Sequence, residues 1–241
     1  MRLESVVPAS APPRVQARLA SAADGPVPVV HRGTTAVYVE VGGLCVGVVA
    51  DSAVGVPCAL RVVGDRLPFP GLEARVVAGR LEVDGVPLGV GRLLDVEVPR
   101  LPAAWPAAEA ASGDPLGAHE VTGLVGRGDG LTPYGDDMLC GWLAVHRAAG
   151  VPTPDVDAAV TALLPRTTLL SATLLDCALR GEVVPQFAAY VSALGGAGET
   201  ARAADLTAVG HSSGAGLLAG ARRALGELAR TRHLDRIGEP A

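Results

Sequence analysis

The periodicity of the sequence changes near residue 100, and this change constrains the fold more than any other feature. Between residues 27 and 99 the chain consists of short Val-rich stretches separated by turn residues, a pattern typical of β-strands. Beyond Leu101 and Pro102 the stretches are longer and carry helix start and stop signals. We therefore predict an α+β protein, with a small all-β barrel or sandwich domain at residues 1–100 and an all-α helical domain at residues 101–241.

The individual elements follow from the same signals. The pairs Ala78-Gly79 and Asp84-Gly85 predict two-residue hairpin turns, because such turns need positive φ. Thr132 precedes a proline, as does Thr153, which predicts an N-cap hydroxyl at each position. The predicted strands are 27–32, 35–41, 44–50, 57–63, 72–78, 81–83 and 94–98. The predicted helices are 15–22, 103–112, 133–149, 154–164, 168–180, 185–194, 199–209 and 213–230.

Composition excludes several classes of enzyme and partner. All 20 basic residues are arginine, so the chain has no lysine for a Schiff base, a pyridoxal phosphate anchor or a P-loop. The net charge is −5 and the arginines are scattered, so we expect no nucleic-acid partner. No apolar run reaches the roughly 18 residues of a membrane span, and the start of the sequence does not resemble a signal peptide. We expect a cytoplasmic protein without a membrane partner.

The cysteines and three of the histidines are expected to lie outside any site. Cys45, Cys58, Cys140 and Cys177 have no C-x-x-C spacing and lie in apolar stretches, which indicates buried, reduced thiols. His119, His146 and His233 are expected at the surface or on helix faces. Met138, Trp142, Leu143 and Val145 are expected in the core.

The segment most unusual for a structural loop is the glycine-rich stretch before the helix at 133–149. It has five glycines in the thirteen residues 123–135 and leads directly into Asp136 and Asp137. Glycines allow the backbone to approach a ligand closely, but they equally allow a tight turn whose two acids favour the helix dipole. If the acids bind a ligand, they suit an amide-like –NH₂ group or a divalent cation such as Mg²⁺. The candidate residues are Arg127, Gly130, Thr132, Gly135, Asp136 and Asp137.

Two further helix starts are rich in hydroxyl groups. Residues 210–214, with His211, Ser212, Ser213 and Gly214, form either an anion pocket or an ordinary helix cap. Arg166, Thr167, Thr168 and Ser171 form either a cap or a site that holds a carboxylate or phosphate. Three such helix starts in one helical domain predict that their N-termini converge on one small anionic substrate.

Taken together, these segments resemble a known bacterial family. The stretch from Gly130 to Asp137, then Thr167, Thr168 and Ser171, then Gly210 to Ala215, are similar to its signature segments. The family contains the smallest subunit of oxamate carbamoyltransferase, an enzyme of anaerobic allantoin degradation. Residues 29–41 also resemble its N-terminal strands. Two positions depart from the family pattern: Tyr134 replaces a residue that is usually Ser, and Gly216 replaces a common acid.

The resemblance implies carbamoyl transfer between oxalurate and phosphate, which yields oxamate and carbamoyl phosphate, in a complex with other carbamoyltransferase subunits. It implies catalytic roles for Asp136, Asp137 and His211, with the remaining candidate residues binding substrate. No cofactor is predicted apart from the Mg²⁺ alternative, and the metal ligands are left open. The alternatives are a noncatalytic assembly or regulatory subunit and a divalent-metal hydrolase that uses the two acids.

Overall fold

The computed structural model describes residues 6–102, 105 and 115–238, with side chains described up to residue 233. The chain separates into two compact units, Met1–Val96 and Glu97–Ala241. The first unit is built of strands and the second of helices, which confirms the predicted α+β class. The boundary at residue 100 stays a prediction. The helix predicted at 103–112 lies outside the described residues, apart from Trp105.

The described part of the first unit is a nearly closed β-barrel, which confirms the barrel prediction. Its strand order is β2-β7-β8-β9-β1-β6-β5-β4-β3, so the two edge strands follow each other directly in the sequence. The elements are β1 (Val7–Ala11), α1 (Pro13–Ser21), β2 (Gly25–Val27), β3 (Val29–Arg32), β4 (Ala36–Val41), β5 (Leu44–Ala50), β6 (Ala59–Val62), β7 (Ala74–Val77), β8 (Arg80–Val83) and β9 (Val86–Leu93).

The barrel core is made of alternate strand residues. Val37, Val39 and Val41 on β4 belong to one buried cluster with Val46 and Val48 on β5, as expected for side chains that alternate between the two faces of a strand. Since aromatic residues make up only 3% of the chain, Val, Leu and Ala supply most of this interior.

Both predicted hairpin turns are confirmed. Ala78 and Gly79 join β7 to β8 with φ values of 48° and 73°, and Asp84 and Gly85 join β8 to β9 with values of 50° and 75°. The Asp84 carboxylate also accepts hydrogen bonds from three consecutive backbone N–H groups, at residues 71–73. An aspartate therefore suits this turn for two independent reasons.

Three strand predictions are wrong. Strands β1 and β9 were not expected, because Pro8 in β1 and Pro87, Gly89 and Gly91 in β9 lower their strand propensity. They are nevertheless paired in parallel inside the sheet. The stretch 94–98 is not a strand: Glu97 forms one isolated bridge to Glu182, and the N–H of Val98 donates to the carbonyl of Gly181.

The second unit is helical throughout its regular structure. The predicted helices at 133–149, 154–164, 168–180, 185–194, 199–209 and 213–230 are confirmed apart from their ends. Helix α2, which is short and contains Gly123, was not predicted. No helix among the described residues is long and apolar enough to span a membrane. The elements are α2 (Ala118–Leu124), α3 (Tyr134–Ala149), α4 (Pro154–Leu163), a 3-10 turn (Leu164–Arg166), α5 (Leu169–Leu179), α6 (Pro185–Ala193), α7 (Glu199–Thr207) and α8 (Ser213–Gly238).

Of the two predicted threonine N-caps, Thr132 is wrong and Thr153 is confirmed in position only. Pro133, not Thr132, occupies the N-cap position of α3. Thr153 occupies the N-cap position of α4 but makes no cap hydrogen bond: its hydroxyl accepts from Arg147 Nη1 at 3.0 Å and donates to Asp157 Oδ1 at 2.7 Å. This hydroxyl therefore belongs to a side-chain network with Arg147 and Asp157 and does not cap the helix.

His146 lies on a buried face of α3, so it takes the helix-face position of the two expected and not the surface. Its side chain is buried, its ring stacks on Trp142 with centroids 3.8 Å apart, and its Nδ1 lies 2.9 Å from the Trp142 carbonyl. The four cysteines are buried and form no disulfide, as expected for reduced thiols.

Close packing of α3 against α8 sets the position of the candidate site. A Cβ atom on Gly141 would lie 2.0 Å from the Leu217 carbonyl oxygen, and one on Gly220 would lie 1.9 Å from the Met138 carbonyl oxygen. Near the helix starts, Gly216 of α8 lies against Asp137 of α3. Further along, Glu227 of α8 accepts a hydrogen bond from Trp142 of α3. The residues in contact have rising numbers along both helices, so α3 and α8 run parallel and their N-termini lie at the same end.

Candidate functional site

The three polar helix starts are connected by side-chain hydrogen bonds. Asp136 of α3 accepts from Thr167, just before α5, at 2.5 Å and from Ser171 of α5 at 2.7 Å. The hydroxyls of Thr132 and Ser213 lie 2.8 Å apart, which connects the glycine-rich loop to the start of α8. The N-termini of α3, α5 and α8 therefore adjoin, and we refer to Thr132, Asp136, Asp137, Thr167, Thr168, Ser171 and Ser213 as the N-terminal cluster.

Asp136 holds this cluster together. Its side chain is fully buried, and its Oδ1 accepts a third hydrogen bond from the N–H of Gly126 at 2.8 Å. Three donors from two other segments thus surround a single carboxylate. Since both of its oxygens are engaged by the chain itself, Asp136 acts as a positioning residue that fixes the glycine-rich loop and the start of α5.

Asp137 differs sharply from its neighbour. Its side chain is 4% exposed, and its Oδ2 is buried without a hydrogen-bond partner. The pKa of this carboxyl is raised to about 7: burial is the largest cause, a hydrogen bond with Ser213 lowers the pKa, and the nearby Asp136 carboxylate raises it. A buried polar atom without a partner costs about 1–3 kcal/mol, so this oxygen is a plain candidate for contact with a ligand.

Most glycines of the segment serve close packing of the chain on itself. A Cβ on Gly135 would lie 2.1 Å from the Leu124 carbonyl oxygen, and one on Gly126 would lie 2.8 Å from the Arg166 carbonyl oxygen. A Cβ on Gly128 would lie 2.7 Å from the Tyr134 nitrogen. A Cβ on Gly130 would meet nothing within 4 Å, but the φ of Gly130 is +88°, which favours glycine. The tight-turn interpretation therefore accounts for the glycines, although not for the unpaired oxygen of Asp137.

Several helix-start N–H groups that could hold an anion are already bonded. The N–H of Gly135 donates to the Arg127 carbonyl, and those of Asp136 and Asp137 donate to the Pro133 carbonyl. At the start of α8, the N–H of Gly214 donates to the Val209 carbonyl. The start of α3 is thus not an open anion site.

The remaining predicted site residues have varied positions. Thr168 is the N-cap of α5: its hydroxyl accepts from the N–H of Ser171 and donates to the carbonyl of Leu131. Gly214 is buried, and its Cα lies so close to the Leu206 carbonyl that a Cβ would be 1.9 Å from that oxygen. Ser212 is half-buried. The side chains of Arg127, Arg166 and His211 are exposed, and the structure does not bring them into the buried cluster.

Backbone groups complete the cluster, and sequence analysis missed them. The N–H of Gly126 and the carbonyl of Leu131 both bind predicted site residues. Every residue but proline has both groups, so side-chain chemistry gives no signal for them. The glycine content around Gly126 is the only hint of such a close approach.

No metal centre is evident in the part of the chain that the structure describes. No group of three or more His, Cys, Asp or Glu side chains there could hold a metal ion. Asp136 and Asp137 were the predicted alternative for binding Mg²⁺. Both oxygens of Asp136 already accept hydrogen bonds from the chain, three in total.

The fold and the cluster describe a helical unit with one buried, unpaired carboxyl oxygen where three helices begin. Residues 124–225, from the last residue of α2 into α8, match the family model described as oxamate carbamoyltransferase subunit AllH. This match confirms the family resemblance of the signature segments, all of which except the N-terminal strands lie in the matched range. No curated protein and no solved structure matches the chain.

Proposed function

We propose that this chain is a subunit of a carbamoyltransferase that interconverts oxalurate and phosphate with oxamate and carbamoyl phosphate, and that its N-terminal cluster binds oxamate. The match over residues 124–225 supports the enzyme class. The observation that carries the binding site is the buried Oδ2 of Asp137, which has no hydrogen-bond partner among the residues that the structure describes.

Asp137 receives the amide end of oxamate. When ionised, its Oδ2 accepts a hydrogen bond from the –NH₂ group, which satisfies the unpaired oxygen. Asp136 positions Asp137 for this contact, because its three hydrogen bonds fix the glycine-rich loop and the start of α5 beside the start of α3.

The anionic end of oxamate binds toward the exposed edge of the cluster. The buried Asp136 opposes a second negative charge deep in the site, and the N–H groups of Gly135, Asp136 and Asp137 are already bonded. Arg127 and Arg166 are exposed, their backbones border the glycine-rich loop, and a guanidinium binds a carboxylate in bidentate fashion. His211 and Ser212 directly precede Ser213 in the sequence, and we expect them to provide further donors.

Partner carbamoyltransferase subunits are needed to complete the reaction. The matched family is described as a subunit, and the cluster supplies no buried cation for phosphate among the described residues. We expect the complex to operate in the cytoplasm and to need no cofactor bound by this chain.

Oxamate binding to the purified subunit complex tests the proposal by titration calorimetry at pH 8. Asp137→Ala should weaken binding at least about tenfold, since each 1.4 kcal/mol corresponds to a factor of ten. Asp155→Ala removes an exposed acid from the first turn of another helix and should leave the affinity within about twofold. Unchanged affinity in Asp137→Ala would contradict the site.

A noncatalytic assembly subunit is the second candidate, and one observation favours it. Leu131 and Tyr134 are 41% and 40% exposed beside the cluster, as expected for apolar side chains that contact a partner chain. Under this alternative, Tyr134→Ser weakens assembly with the partner subunits, whereas Asp137→Ala leaves oxamate binding unchanged. The two candidates therefore give opposite results in the same complex.

A further inference from the structure

Two adjacent acids of α3 have opposite environments. Asp136 is surrounded by donors from Gly126, Thr167 and Ser171. Asp137 has a hydrogen bond with Ser213 and a second oxygen that is buried and unpaired. If both acids served only as hydrogen-bond acceptors for a ligand, there would be no reason for one to be fully bonded and the other to keep an unpaired oxygen.

We propose that Asp137 exchanges a proton with the nitrogen that carries the transferred carbamoyl group, while Asp136 holds it in position. This inference rests on the proposed function, and it makes Asp137 the general acid for cleavage of an acyl urea by phosphate and the general base for the reverse reaction. Its unpaired Oδ2 is the atom that carries the proton.

The surroundings of Asp137 suit a group that gains and loses a proton near neutral pH. Burial brings its pKa to about 7, the range in which general acid–base catalysis is most effective. On α3 the neighbouring titratable groups are Asp136 and the buried Cys140, whose own pKa is raised well above its usual value by burial and by both aspartates. From α8 the hydroxyl of Ser213 reaches Asp137, and from α5 the hydroxyl of Ser171 reaches Asp136.

No cation among the described residues contributes to the shift of the Asp137 pKa. The side chains of Arg127, Arg166 and His211 are all exposed, and the shift of the Asp137 pKa arises from burial, Asp136 and Ser213. The charge that a bound substrate brings will therefore act directly on this carboxyl.

The proton and electron balance of the step is simple. An oxygen of hydrogen phosphate attacks the carbamoyl carbon, the C–N bond breaks, and its electron pair stays on the nitrogen. That nitrogen takes the proton from Asp137 and leaves as a primary amide. The proton that hydrogen phosphate loses on becoming carbamoyl phosphate then restores the acid form of Asp137.

Asp137→Asn tests the proton exchange because it keeps an oxygen acceptor but cannot transfer a proton. In the purified subunit complex at pH 8, the kcat for oxamate and carbamoyl phosphate should fall at least about 100-fold. The dissociation constant of oxamate should stay within about threefold of the wild-type value. A kcat within threefold of the wild type would overturn the proposal.

The wild-type complex gives a second test that needs no variant. The base form of Asp137 binds the –NH₂ group, so oxamate binding at pH 7 should release about half a proton per site. Calorimetry in buffers of different ionisation enthalpy measures this release, and the affinity should rise about tenfold from pH 6 to pH 8. No proton release and a flat pH dependence would overturn the proton exchange.

The outcomes separate the two levels of the account. If Asp137→Ala loses oxamate while Asp137→Asn keeps its kcat, the binding site stands and the proton exchange is wrong. If Asp137→Ala binds oxamate normally, the proposed site itself is wrong.

Discussion

Gly216 of α8 lies directly against Asp137 of α3: a Cβ atom on the glycine would be 2.8 Å from the Cβ of the aspartate and 3.1 Å from the Tyr134 carbonyl oxygen. An acidic side chain at 216 would therefore displace Asp137 or α8. The glycine at this position leaves the room that Asp137 occupies.

Gly216→Ala should disturb both stability and binding. The new methyl group forces Asp137 or α8 to move, which costs about 1–3 kcal/mol of unfolding free energy and weakens oxamate binding. Gly123→Ala is the matched control, because a Cβ there meets nothing within 4 Å and alanine favours helix α2. Urea denaturation of both variants compares them; equal stability would show that Asp137 tolerates the methyl group.

Asp136→Asn should destabilise the protein more than any exposed acid does. The amide replaces one carboxylate oxygen by an NH₂ group, which then faces either the Gly126 N–H, a donor to Oδ1, or the hydroxyls of Thr167 and Ser171, donors to Oδ2. We expect a loss of about 2–4 kcal/mol in chemical denaturation. The control is Asp155→Asn, an exposed acid that should cost less than about 1 kcal/mol. Similar losses in both variants would argue against the positioning role.

Glu227 is expected to be a structural anchor on the other half of α8. Its buried carboxylate accepts hydrogen bonds from the Leu116 N–H at 3.0 Å, Trp142 Nε1 at 2.8 Å and Arg223 Nε at 2.9 Å. Glu227→Gln should cost about 2–4 kcal/mol of unfolding free energy without a change in oxamate affinity. A selective loss of oxamate binding, with stability unchanged, would place Glu227 in the binding machinery instead.

The pH dependence of stability should reveal Asp137. Its pKa is raised in the folded state, so the folded protein binds more protons than the unfolded chain between about pH 4 and pH 7. Stability from this group is therefore present below that window and is lost as the pH rises through it. The unfolding free energy of Asp137→Asn and of the wild type is measured at pH 5 and at pH 8. It should fall less between these pH values in Asp137→Asn, because the amide does not titrate. Parallel profiles would contradict the raised pKa.

The sequence was sufficient for the elements with strong local signals. The Val-rich alternation of β4 and β5 and the hairpin pairs Ala78-Gly79 and Asp84-Gly85 each favour one local structure. Strands β1 and β9 could not be predicted from the sequence, because their pairing within the sheet stabilises them despite the low strand propensity of their prolines and glycines.

The candidate site could be predicted as a set of residues but not as a division of roles. Asp136 and Asp137 are equivalent in sequence, and only the fold decides which one meets Thr167 and Ser171. The hydroxyl of Thr132 was assigned to a helix cap, whereas the convergence of α3 and α8 brings it to Ser213.

A crystal structure of the subunit complex with oxamate tests the central claim most directly. The account predicts oxamate at the N-terminal cluster, with its amide nitrogen about 2.9 Å from Asp137 Oδ2 and its carboxylate directed toward Arg127 or Arg166. Oxamate bound elsewhere, with Asp137 Oδ2 still unpaired, would contradict it.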